Sequence, residues 1–139
     1  MALEIKRVEY YNTIVEGHAG DGTKMLSVFA NIGVSWLAFK AVPLDLGRTR
    51  FSLFPNDGVK MTDGAKKADV ELDGPHSALL IKDDDESGAL ADIYKKLSQA
   101  DIHINESSGI ADINRGYGVI LYLSSEDCEK AMAVLERVE

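Results

Sequence analysis

A single fixed offset lays the second half of this chain over the first. It sets Gly20 on Gly88, Met25 on Ile93, Phe29 on Leu97, Gly33 on Asp101 and Trp36 on Ile104. The same order of apolar and turn positions, met twice, constrains the fold more than any local motif. Each copy must be one supersecondary unit that leaves a face for a neighbour to cover.

The elements within each copy follow from periodicity. Residues 5–15 are β-branched and aromatic and read as a strand. A turn with three glycines, Glu16 to Thr23, leads to Met25, Leu26, Phe29 and Ile32, a helical stripe ended by Gly33. Val34 to Phe39 reads as a strand, Pro43 to Gly47 as a turn, and Arg50 to Phe54 as the returning strand. A weaker helix carries Met61, Ala65 and Ala68 between Gly58 and Lys67, and Val70-Glu71-Leu72 reads as a short closing strand. Asp73-Gly74-Pro75 then breaks the chain, which puts the units at 1–72 and 73–139.

In the second copy a strand over 77–82 enters the acidic turn Asp83-Asp84-Asp85-Glu86-Ser87-Gly88. Leu90, Ile93, Tyr94 and Leu97 then mark a helix over 88–99. Residues 101–107 alternate as a strand, 112–116 turn, and 117–123 return. A last helix carries Cys128, Ala131, Met132, Leu135 and Val138, with Ser124 or Ser125 as its N-cap. The expected class is α+β: two tandem βαββαβ ferredoxin-like units, antiparallel sheets, helices on one face. The second unit lacks a fourth strand of its own. The extra residues Leu3 to Val8 are expected to extend the sheet there, in the same chain or a partner.

Charge narrows the partners. A net charge of −8 over 139 residues disfavours nucleic acid and anionic membrane, which need clustered Lys and Arg. No apolar run reaches the ~20 residues of a membrane helix, and Met1 to Arg7 lacks the apolar stretch of a secretory signal. A cytoplasmic protein is the simplest expectation. The single cysteine, Cys128, excludes an intrachain disulfide and a Cys-rich metal site, and its place in an apolar stripe reads as core. His18, His76 and His103 are scattered, and no nucleophile–base grouping is suggested. The expectation is therefore no catalysis, no metal and no cofactor.

From Ile81 through the acidic loop to Gly88-Ala89-Leu90, Leu97 and Ile102-His103-Ile104, the second copy is similar to the ACT-domain family, small regulatory modules of amino-acid metabolism. The first copy matches in layout. It departs in its loop, where Gly20-Asp21-Gly22 replaces Gly-Ala-Leu and Gly17-His18 stand where the family often has an acidic residue. The resemblance implies a small effector, an amino acid, bound where the loop after the first strand meets a strand of a neighbouring unit. It implies a free-standing regulatory protein rather than an enzyme.

The chemistry of such a ligand names the candidates. Backbone N–H groups at a helix start suit a carboxylate: Gly88, Ala89 and Leu90 in copy two, Gly20, Asp21 and Gly22 in copy one. Gly17, His18 and Ala19 belong to the same loop. Asp84, Asp85, Glu86 and Asp21 could accept from an ammonium, and Ser87, Asn105 and Ser107 are short polar groups within reach. Asp83 to Glu86 also have a structural reading, as a solvated turn favouring the helix start. Gly88 has one too, as a backbone-geometry residue. Glycines 17, 20 and 22 have the spacing G-x-x-G-x-G, which is not a dinucleotide fingerprint.

Assembly follows from the strand faces. Leu37 and Phe39 are expected to face outward, with Val34, Trp36 and Ala38 on the helix side, so a homodimer is expected to bury Leu37 and Phe39. The alternative function is constitutive assembly of a partner metabolic enzyme, without a small ligand.

Overall fold

The computed structural model describes residues 3–17, 19–83, 88–111 and 116–136. Its elements are β1 (Glu4–Glu16), α1 (Ala19–Asn31), β2 (Trp36–Asp45), β3 (Arg48–Pro55), α2 (Gly58–Lys67), β4 (Asp73–Asp83), α3 (Ala89–Gln99), β5 (Glu106–Ala111), β6 (Tyr117–Tyr122) and α4 (Ser125–Leu135). The strands form one antiparallel six-stranded sheet in the order β2-β3-β1-β4-β6-β5. The class is α+β, of the ferredoxin-like ACT type.

Two compact units emerge: Glu9–His76, and Met1–Val8 with Ser77–Glu139. The start of β1, from Glu4 to Val8, therefore belongs with the second copy. Leu3 and Ile5 pack against that copy's core, and Arg7 donates to Ser77 Oγ at 3.0 Å. The strand that the second copy lacks is supplied by the N-terminal segment of the same chain. Likewise β4 runs unbroken through Asp73-Gly74-Pro75, which the sequence pattern reads as a break. Gly74 is needed there: its φ is +146°, and a Cβ would lie 2.9 Å from Tyr10 O.

The repeat holds at the level of register. Tyr11 pairs with Leu53 and Leu79 with Leu121; Phe39 pairs with Leu53 and Ser107 with Leu121. Each second pair follows the first at the offset that relates the two copies. The helix ends repeat too. Val34 N–H donates to Phe29 O at 3.0 Å and Ile102 N–H to Leu97 O at 2.9 Å, across left-handed Gly33 (φ +83°) and Asp101 (φ +59°). This is the 6→1 bond of a Schellman cap.

Each unit buries one face of its strands under its two helices. The first core joins Tyr11 and Leu53 from the sheet, Met25 and Phe29 from α1, and Met61 and Ala65 from α2. The second joins Leu79, Ile81, Val119 and Leu121 to Ile93 and Leu97 of α3 and to Cys128, Ala131 and Leu135 of α4. Burial pushes the Cys128 thiol above its ordinary pKa, as its core position implies. Two stripes differ from expectation. In α3 the buried face is Ala89, Ile93 and Leu97, while Leu90 and Tyr94 are about two-fifths exposed. In the first copy Met25 and Phe29 of α1 are buried, while Ile32, just past the helix end, is exposed.

Several boundaries also move. Pro43, Leu44 and Asp45 extend β2 rather than forming a turn; β2 is an edge strand, where proline is tolerated. Val70 to Leu72 lie outside any strand, with Glu71 O accepting from Thr13 Oγ at 2.8 Å. The strand expected over 101–107 starts at Glu106, and Asp101 instead closes the preceding helix. Ser124 is the cap of α4, its Oγ accepting from Asp127 N–H. The turn at 112–115 and Val138 lie outside the described residues.

The face assignment of β2 is corrected as well. Trp36 pairs with Pro55 but Ala38 with Phe54, so one extra residue, Leu37, forms a bulge. The bulge inverts the alternation. Phe39 thus lies opposite core residue Leu53, and Ala38 opposite Phe54 on the other face. Phe39, on edge strand β2, is 64% exposed.

Candidate functional site

The second copy's strand–helix turn is where the described residues come together. Asp83 ends β4 and Gly88 is the N-cap of α3, with Asp92 N–H donating to Gly88 O at 3.0 Å. Asp84, Asp85, Glu86 and Ser87 lie outside the described residues. Asp57 caps α2 and Ser124 caps α4 through their side chains, but Gly88 has no side chain to cap α3. Among the described residues, the N-cap position therefore gives the first N–H groups of α3 no side-chain acceptor.

Gly88 has φ −105°, which any residue adopts, and a Cβ there would meet nothing within 4 Å. Neither backbone geometry nor packing demands glycine at this position. What glycine does supply is unobstructed access to the helix start.

Gly88 and Ala89 line a cavity of about 220 Å³ with Asp83, Asp92, Lys96 and an apolar wall of Leu3, Ile93 and Leu135. Asp92 and Lys96 reach it because residues 89, 92, 93 and 96 recur at i, i+3, i+4 and i+7, one face of α3. The N-terminal strand contributes Leu3 and the last helix contributes Leu135. Among the described residues, the cavity therefore presents one ammonium, two carboxylates and aliphatic carbon.

Sequence pattern does not single out Asp92, Lys96, Leu3 or Leu135. The first two carry a signal, their spacing beside Ile93. Leu3 and Leu135 carry none, since only the fold returns the chain's two end segments to this turn. Leu90 is about two-fifths exposed and does not line the cavity. Asn105 and Ser107 do not line it either. Asn105 N–H donates to Tyr122 O at 2.9 Å, and the Ser107 hydroxyl is hydrogen-bonded to the Tyr94 hydroxyl.

The first copy's loop is built differently. Gly17, at φ +103°, donates its N–H to Gly47 O at 2.8 Å, which ties the loop to the β2–β3 turn. That turn is closed by Asp45, whose carboxylate accepts from Arg48 and Gly47, and these bonds hold its pKa below the usual carboxylate value. His18 lies outside the described residues, and Ala19, Gly20 and Asp21 form the first turn of α1. Gly22 is already inside the helix. A Cβ there would stand 2.9 Å from Phe51 Cζ, so its glycine serves helix–sheet packing.

Among the described residues no group of three His, Cys, Asp or Glu side chains could hold a metal ion. No helix there is long and apolar enough to cross a membrane.

No protein-family model matches the chain, and no curated protein matches its sequence. Solved structures do match its fold. Protein BT0572 from Bacteroides thetaiotaomicron superposes with a TM-score of 0.82 at 18% identity, over 95% of this chain and 88% of that one. The ligand-free regulatory subunit of aspartate kinase from Thermus thermophilus gives 0.66 at 10% identity, over 97% and 95%. A structure of aspartokinase alpha and beta subunits gives 0.61 at 15% identity, also over 97% and 95%. At these identities the likeness is one of fold.

Proposed function

We propose that this chain is a non-catalytic regulatory protein that binds a free amino acid in the cavity between Gly88 and Lys96. The observation carrying this reading is the composition of that wall. Lys96 and the start of α3, whose N-cap Gly88 carries no side chain, suit a carboxylate, Asp83 and Asp92 suit an ammonium, and Leu3, Ile93 and Leu135 suit a short side chain. The cavity is smaller than the ~300–1,000 Å³ typical of drug-sized ligands, in keeping with a metabolite. The fold shared with aspartate kinase regulatory subunits supports a regulatory role. On this reading the cavity opens on an interface of ACT-type units, and the effector couples to how those units pack by ~1–3 kcal/mol.

A thermal-shift screen with the twenty amino acids tests this. A ligand that binds only the folded state stabilises it by ~2.7 kcal/mol at a hundred times its Kd. The expected result is a rise in Tm with one or a few amino acids, lost in Gly88→Val. No response at millimolar concentration, or a response unchanged in Gly88→Val, overturns the assignment.

A second reading, assembly without a ligand, is favoured by one observation. Leu37 and Phe39 are 41% and 64% exposed on edge strand β2, apolar surface that a second copy or a partner metabolic enzyme would cover. A homodimer is proposed here, and sedimentation as a monomer at micromolar concentration would overturn it.

A further inference from the structure

The two units differ in what they do with one corner, where the first strand of the unit meets the start of its second helix. In the second unit Arg7 fills that corner. Its Nη1 donates to Glu129 Oε1 at 2.9 Å, and its Nη2 donates to Ser77 Oγ at 3.0 Å and to Ser125 Oγ at 2.7 Å. The repeat identifies the corresponding positions of the first unit. Ser77 answers to Glu9 at the offset that relates the paired strands. The helix caps Asp57 and Ser124 answer to each other one position short of that offset, which sets Ser125 on Gly58 and Glu129 on Thr62. The counterpart of Arg7 itself, at the strand offset, is Pro75, which carries no charge.

All three counterparts of Arg7's partners line a single cavity of about 530 Å³: Glu9, Gly58 and Thr62, with Tyr11, Asn56 and Asp57 beside them. The donor–acceptor chemistry is kept with its places exchanged. The second unit surrounds its guanidinium with one carboxylate (Glu129) and two hydroxyls. The first offers the carboxylate of Glu9 and the hydroxyl of Thr62, while Gly58 leaves the third place open. Asp57 is engaged in capping Lys60 N–H and contributes charge. The Tyr11 phenol is pushed up by burial and by the nearby Glu9 charge, so Glu9 bears on this cavity.

We propose that this cavity of the first unit binds a guanidinium group from a separate molecule, where the second unit uses its own Arg7. The bearer is a free small molecule or an arginine side chain of another protein. The net charge of −8 attracts either. This site is distinct from the Gly88 cavity and does not depend on it.

The test is amide NMR of the full chain titrated with agmatine, which carries a guanidinium but no carboxylate and so does not mimic an amino acid's zwitterion. Butylamine serves as a plain cation, and N-acetyl-arginine amide as a protein side chain. The expected result is shifts confined to residues 9–11 and 56–62, at least tenfold weaker with butylamine and in Glu9→Gln, whose exposed side chain leaves folding intact. A response to agmatine assigns a free ligand; a response to the blocked arginine alone assigns a protein one. No shift with either at 20 mM, equal response to butylamine, or unchanged binding in Glu9→Gln overturns the proposal.

Discussion

The two units carry the same register and opposite solutions at the turn before their first helices. In the first unit the glycine that matters is Gly22, inside α1, where the Phe51 ring leaves no room for a side chain. In the second unit the position equivalent to Gly22 is Leu90, and the position equivalent to Phe51 is the smaller Val119. Glycine at the helix start is common to both copies, as Gly20 and Gly88, and Gly88 faces open space. One glycine accommodates an aromatic core residue; the other leaves a helix start accessible. Under the proposed function, this divergence leaves the amino-acid site to the second unit, although both units follow one pattern.

The largest expected effect comes from moving the second unit's pair into the first. Gly22→Leu gains helix propensity but drives its side chain into Phe51, a net destabilisation of ~1–3 kcal/mol. Phe51→Val alone leaves a cavity and costs ~1–3 kcal/mol as well. Together they reproduce Leu90 and Val119, and urea denaturation should show the double variant more stable than the sum of the singles, with a coupling of ~0.5–3 kcal/mol. Strict additivity would mean that Phe51 is not what holds Gly22 as glycine. The matching substitution at the other turn, Gly88→Val, should leave stability within ~1 kcal/mol, the cost of a poorer cap.

The residues that position these features were legible in the sequence to different degrees. The repeat was, because periodicity reports which face is buried, and the same offset reappears in strand pairs and helix ends. The ends of elements were less so. Asp101 looks like a strand residue because it alternates with Ile102 and Ile104, yet it closes the helix in a left-handed conformation that alternation does not signal. Leu37 carries no mark of a bulge, and that one extra residue reverses the faces of Ala38 and Phe39. At the site, Gly88 stood out through its turn, whereas Lys96 was an ordinary solvated lysine until the fold set it in the same cavity wall as Asp83. Leu3 and Leu135 depend on long-range closure, which local pattern does not encode.

The smallest expected effect tests the same equivalence at the helix ends. Gly33 and Asp101 occupy corresponding left-handed positions, each followed by the 6→1 bond that ends its helix. An L-residue is strained there and glycine is not, so Asp101→Gly should stabilise the protein by ~0.5–1 kcal/mol, and Gly33→Ala should destabilise it by about as much. Gly33→Asp should cost less than Gly33→Ala. A Cβ at position 33 stands 3.5 Å from the Lys60 ammonium, which a carboxylate would partly engage. Denaturation midpoints at low and high salt separate the two contributions. Salt should erase the difference between Gly33→Asp and Gly33→Ala while leaving the gain from Asp101→Gly intact, because backbone strain is not screened. Were Asp101→Gly to destabilise, aspartate there would be making a contribution that its counterpart glycine never made, and the two helix ends would not be equivalent in energy despite their common geometry.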